Sequence, residues 1–403
     1  MGVHSKNFAK IGFVCFQAFW ILVSLLLLFT ARHMVDVFPE FMQCPDESGG
    51  QAACMGPSAI IRMSFVLACF HAFVLCIILF RNTAASVFHD GCWGTKFLIV
   101  FSFFIGTMWI DNEFFRGYMT FSRIVSILFL MVQAMLMLVV AYTVNELLVG
   151  NFESENTQGL GCSGVIVITI TAIFTIGNIV WMVYQYIWFS GCATNNIIIT
   201  VTLVASLASY AVVFFRTRED ASILTSSIVV AYLLYLQWSA LSSRPNDQCN
   251  PFEHSSANTV LQIVIGALIT VISLLVISAQ TKKADKDNLT TRINSTLMEN
   301  EEDDHERLEP VTKQGGQTLD QDDMHSFPIT PATIFFQLLL VLASIYYSML
   351  LTNWGNPTIF ESTSTFFSAN GTSFWIKLVA QWLSTGLYLF SMFAPMIFPD
   401  REF

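Results

Sequence analysis

The chain is divided into apolar stretches of membrane-crossing length, and nothing else in the sequence constrains its fold as strongly. A hydrocarbon core about 30 Å thick needs roughly 20 apolar residues per helix. Ten segments meet that need, near residues 11–31, 60–80, 94–111, 118–148, 163–189, 195–215, 222–242, 257–280, 328–354 and 373–398. The runs are continuous rather than alternating every second residue, which selects helices over a barrel. Composition agrees. Of 403 residues 54% are hydrophobic and 12% charged, against roughly 25% charged in soluble domains. The fold class is therefore all-α, a polytopic transmembrane helical bundle. A soluble globular enzyme, a disordered protein and a basic nucleic-acid binder are excluded.

The first run is too long for a signal-peptide core and lacks a small-residue cleavage site at Thr30-Ala31-Arg32, so it reads as a retained span. With the N-terminus in the cytosol, 13 Lys and Arg lie inside and 6 at or beyond the outer boundary. Ten spans then leave both termini cytosolic. The charge is clumped: residues 281–327 hold 12 acids and 6 bases. This stretch reads as an acidic, disordered cytosolic loop, with too little apolar surface to bury a core. It separates spans 1–8, residues 1–280, from spans 9–10, residues 328–403. Two spans look unusually long: the fourth, 118–148, and the ninth, 328–354. They are expected to lie obliquely across the bundle.

Cysteine placement is compatible with this topology. Cys44, Cys54, Cys192 and Cys249 fall in loops assigned to the oxidising side. Turn formers between Cys44 and Cys54 favour that pair, and Cys192–Cys249 is the natural second one; four unpaired thiols are the alternative. Cys15, Cys69 and Cys76 lie within spans as packing residues. No Cys/His spacing resembles a zinc site.

Ionisable and amide groups inside spans are costly and mark functional positions. Glu146 lies at the end of the fourth span beside Asn145. Lys377 opens the last span, from which it is expected to snorkel outward. His71 sits mid-span, where a neutral, hydrogen-bonded core histidine is the expected state. Asp111, Glu113 and Arg116 form a solvated cluster in a loop. Amides recur in the spans, among them Gln17, Gln133, Asn178, Gln185, Gln237, Gln337 and Gln381. Such groups either join helices by hydrogen bonds or line a groove in which a lipid head group crosses while its tails stay in lipid. Glu146, Lys377, Asn178 and Gln237 are the candidates for such a lipid or solute path. No nucleophile elbow, phosphate loop or HExxH metalloprotease motif occurs, so no enzyme activity, cofactor or metal is expected.

Several segments together resemble the serine incorporator family. Tyr232-Leu-Leu-Tyr-Leu-Gln-Trp-Ser-Ala-Leu-Ser-Ser-Arg-Pro245, followed by Cys249-Asn-Pro251, resembles a family segment. So do Tyr347-Ser-Met-Leu-Leu-Thr-Asn-Trp354 and Gly91-Cys-Trp-Gly-Thr-Lys96. The C-terminal pattern of Phe374-Trp-Ile-Lys377, Trp382, Tyr388, Ala394-Pro395 and Arg401-Glu-Phe403 also fits. The match departs from the family in lacking a cysteine-rich leader and in carrying Trp109-Ile-Asp111-Asn-Glu113 at the end of the third span.

The resemblance implies ten helices in two subdomains braced by the long fourth and ninth. It also implies serine delivery into phosphatidylserine and sphingolipid synthesis, ATP-independent phospholipid scrambling, and homo-oligomers, hexamers in some members. It supplies no catalytic residues. The expected partners are membrane phospholipids, with serine and lipid-synthesis enzymes, in an endomembrane or the plasma membrane. A secondary transporter of serine or another small solute, with Gly177-Asn178 as a helix break, is one alternative. A structural or assembly subunit is the other.

Overall fold

The computed structural model describes residues 2–30, 55–80, 83–154, 162–214, 222–244, 249–252, 255–305, 331–355 and 372–397. Among them there is no strand. The helices are α1 (Gly2–Thr30), α2 (Met55–Leu79), α3 (Thr83–Asp90), α4 (Trp93–Thr107), α5 (Asn112–Ser154), α6 (Cys162–Phe189), α7 (Ala193–Phe214), α8 (Ile223–Leu241), α9 (Ser256–His305), α10 (Pro331–Leu351) and α11 (Thr372–Ile397). All ten expected spans are helical. Eight are long and apolar enough to cross a membrane on their own. Of the other two, α4 has 15 residues and α11 has the length but carries a polar stripe. The short α3 is an addition that the apolar runs did not reveal.

Local chemistry sets several helix starts. The Asp111 side chain accepts from the Glu113 amide at 3.0 Å ahead of α5, an N-terminal cap. Ser222 caps α8 by accepting from the Thr225 amide at 3.1 Å, and its hydroxyl donates to Asn145 Oδ1 of α5 at 2.6 Å. Pro331 opens α10, where its missing N–H costs nothing.

The helices form two groups. In the first, α1, α2, α4 and α10 share one aromatic-rich core containing Phe13, Phe16, Phe70, Phe104 and Tyr347. In the second, α6, α7 and α11 pack around α8, which is buried along almost its whole length. Helix α5 touches both groups, and so does α9, through Gln262 to α8 and by packing on α1 and α10.

The braces therefore differ from expectation in one member. The fourth span is long, 43 residues in α5. The ninth, α10, has only 21, and the second long helix is the eighth, α9, with 50. Helix α10 ends where Asn353 and Trp354 take positive φ of 46° and 61°. Helix α9 instead continues into the charged stretch after Thr281, whose Lys, Glu and Leu residues favour a helix. Residues 306–327 of the expected loop lie outside the described residues.

Candidate functional site

Helix α11 is built inside out. Its residues Ser373, Lys377, Gln381, Ser384 and Tyr388 recur every three or four positions and are all buried. Trp375, Val379, Trp382 and Phe390 on the other face are exposed, as a lipid-facing surface requires. The polar stripe runs about 22 Å, fifteen residue steps of about 1.5 Å, most of the thickness of a bilayer core.

Helices α7 and α8 supply the opposing groups. Gln381 Nε2 donates to Thr202 Oγ1 at 2.7 Å. Ser226 Oγ and Tyr388 Oη share a hydrogen bond of 2.7 Å, and Ser226 Oγ also lies 3.2 Å from the Ser209 carbonyl oxygen. Nearer the disulfide-bearing end, Lys377 Nζ donates to the Ser239 carbonyl at 3.2 Å and to Ser243 Oγ at 2.6 Å. These contacts form one polar seam between α7, α8 and α11. A second set ties α6 to α8. Asn178 Nδ2 donates to the Ser227 carbonyl at 2.8 Å and to Tyr210 Oη at 3.1 Å, and Gln185 Nε2 donates to the Leu234 carbonyl at 3.1 Å.

The seam is not fully satisfied. Gln237 is completely buried, and among the described residues neither its amide nitrogen nor its oxygen has a partner. It follows Ser226 by eleven residues, three helical turns, so it stands on the α8 face that meets Tyr388 and Ser209. Gln381 Oε1, Ser206 Oγ and Gln185 Oε1 are also buried without a partner. Unpaired amides of this kind are costly in an apolar interior.

Three of the four path candidates thus cluster around α8: Lys377 and Gln237 in the seam, Asn178 on the α6 side. Glu146 is exposed on α5 and is not brought to them. Lys377 does not snorkel outward. Its neighbours Ser239 and Ser243 offer acceptors inside the bundle, which hold the ammonium there.

Ser226, Thr202, Ser206 and Tyr388 were not anticipated as members of the seam. The signal that would have found Thr202, Ser206 and Tyr388 is the three-and-four spacing of polar residues on α7 and α11. Helix α6 runs unbroken through Gly177 and Asn178, so the expected break is not there.

Elsewhere the polar groups bind helix to helix. Gln337 Nε2 donates to His71 Nδ1 at 2.8 Å, which leaves Nε2–H of a neutral His71 to donate to Gln17 Oε1 at 3.0 Å. Cys192 and Cys249 are joined by a disulfide that ties the α6–α7 turn to the α8–α9 connection. Cys44 and Cys54 lie outside the described residues. No group of His, Cys, Asp and Glu suited to a metal ion occurs among the described residues.

The family model for serine incorporators matches residues 1–401. A probable serine incorporator of Nematostella vectensis is 27% identical, covering 98% of this chain and 91% of its own length. Serine incorporator 2 of Homo sapiens is 25% identical, covering 99% of this chain and 92% of its own. A membrane protein of Schizosaccharomyces pombe is 29% identical, covering 86% and 80%.

Proposed function

The chain belongs to the serine incorporator family, and from that premise we propose that it is a lipid-handling integral membrane protein. Phospholipid head groups pass along the seam between α7, α8 and α11 while their tails stay in lipid, without ATP. The same handling supports delivery of serine into phosphatidylserine and sphingolipids, with phospholipids, serine and lipid-synthesis enzymes as partners. Both termini face the cytosol, in an endomembrane or the plasma membrane.

The observation that carries this reading is Gln237, a fully buried side chain with both amide atoms unpartnered on a seam that runs most of the membrane's depth. A polar track lowers the cost of moving a head group through hydrocarbon, because each polar atom keeps a hydrogen-bond partner on the way. Unpaired amides are available for that exchange.

A role as a structural or assembly subunit has its own support, since most other seam groups are already bonded to one another. One experiment separates the two. Purified protein is reconstituted in sealed liposomes with fluorescent lipid in both leaflets, and dithionite bleaches the outer probe. Loss well beyond half is expected for the wild type. Gln237→Leu, Lys377→Met and Asn178→Leu are expected to slow it at least about fivefold, the scale of about 1 kcal/mol per lost polar contact. Loss that stops near half in the wild type removes the lipid-path reading and leaves the assembly role.

A further inference from the structure

Lys377 lines a second feature besides the seam. A cavity of about 20 Å³ sits where α8, α9, α10 and α11 converge near the disulfide-bearing end, and its wall includes Lys377, Ser239, Gln262, Tyr346, Asn353 and Trp354. Among the described residues the lining contains one basic side chain and no carboxylate. Among the described residues no acidic group reaches Lys377 within salt-bridge distance; its two acceptors are the neutral Ser239 carbonyl and Ser243 hydroxyl. An ammonium group has three N–H donors, so one remains.

A buried ammonium without a counter-charge is costly, and it either gives up its proton or takes a counter-ion. Asn353 and Trp354, both with positive φ, line the same cavity. That conformation is rare for a residue as bulky as Trp, and rare backbone conformations gather at ligand clamps. Successive backbone N–H groups in a turn conformation can form an anion-binding nest. Gln262 gives its side-chain oxygen to the Ser239 hydroxyl at 2.9 Å, so its amide N–H₂ is left as a further donor.

The geometry points to a resident small monovalent anion, of the halide class, bound beside Lys377 in this cavity. Size decides the class. The space holds about one or two water molecules, which matches a chloride ion in size. A water fits as well but neutralises nothing. The site joins α8 and α11 of one helical group to α10 of the other, with α9 between, so the anion also strengthens the contact between the groups. This assignment does not depend on how lipids move through the seam.

The test uses the purified full chain in detergent at constant ionic strength. Replacing chloride by gluconate is expected to lower the wild-type unfolding midpoint by a few degrees, and adding chloride or bromide to restore it with saturation, since a ligand that binds only the folded state stabilises by mass action. Lys377→Met protein is expected to show the same midpoint in both salts. Should that variant not fold, bromide anomalous scattering from the wild type locates the ion, expected between Lys377 and Asn353. An unchanged wild-type midpoint overturns the assignment. So does a halide shift that persists in full in Lys377→Met, bromide density elsewhere only, or restoration by a short-chain phospholipid and not by halide.

Discussion

Arg62 joins three helices with one side chain. It is fully buried in α2. Its guanidinium donates to Ser58 Oγ at 3.2 Å, to Asn112 Oδ1 at 2.9 Å and to the Thr107 carbonyl, and it covers the Phe115 ring at 4.2 Å. Read as a sequence, Arg62 is only a charge near the outer boundary. Apart from Ser58, one turn away in α2, its partners come from positions 45 and more residues away, and hydropathy carries no trace of them. A planar fork that bonds on several edges and stacks on a ring has no equivalent in Lys. Arg62→Lys is therefore expected to destabilise the protein nearly as much as Arg62→Met, by about 2 kcal/mol or more; unfolding in detergent, followed by tryptophan fluorescence, measures both. Gly12 makes a different demand. A Cβ there would lie 2.4 Å from Cζ2 of Trp93, and Trp93 is held by Phe13 and by Lys96 at 3.9 Å over its ring. Gly12→Ala is expected to cost about 1–3 kcal/mol and to lower the melting midpoint, whereas Gly94→Ala, with open space around it, is expected to leave it in place.

At the scale of helices, much was legible because the hydrocarbon core imposes a length. Each apolar run became a helix, and the fourth was long as its residue count required. What failed was the ninth. The run 328–354 looked continuous, yet α10 stops at Leu351 and the chain turns left-handed at Asn353. Its true competitor, α9, is lengthened by polar residues that an apolar count ignores. The seam was partly legible: Lys377, Gln237 and Asn178 stood out as costly groups, but which faces they share depends on packing around α8. The disulfide is a link between elements that the sequence did pair. Cys192 and Cys249 are 57 residues apart, and closing a loop of that size restrains the unfolded chain by about 4 kcal/mol in the chain-entropy model. Reduction, or the Cys192→Ser/Cys249→Ser double variant, is expected to lower stability by about 2–4 kcal/mol and to leave α1, α2 and α10 packed. Hydrogen exchange resolved along the chain would show faster opening in α6–α8 than in α2.

Among the described residues the molecule consists of two helical groups held by α5 and α9, and each buries polar groups between its helices. In the first group the amides bond to one another through His71, as Gln337 and Gln17 do across α10, α2 and α1, with Gln17 Nε2 and Gln337 Oε1 left over. In the second they leave Gln237, Gln381 Oε1 and Ser206 unpaired along one seam. If lipid head groups cross there, α7 and α11 must separate transiently, since Gln381 and Thr202 now bond across the gap at 2.7 Å. A covalent bridge at that point would hold the seam shut without altering either helix. The variant Thr202→Cys/Gln381→Cys, in a background with every cysteine except Cys192 and Cys249 replaced by Ala, would be joined by a short reducible thiol cross-linker. Scrambling in liposomes is expected to fall about tenfold or more on cross-linking and to return on reduction, because a step that needs the helices apart loses its open population. An equivalent bridge between α2 and α10, away from the seam, is expected to leave the rate unchanged. Equal rates before and after bridging the seam would place the lipid path elsewhere, outside the α7–α11 contact.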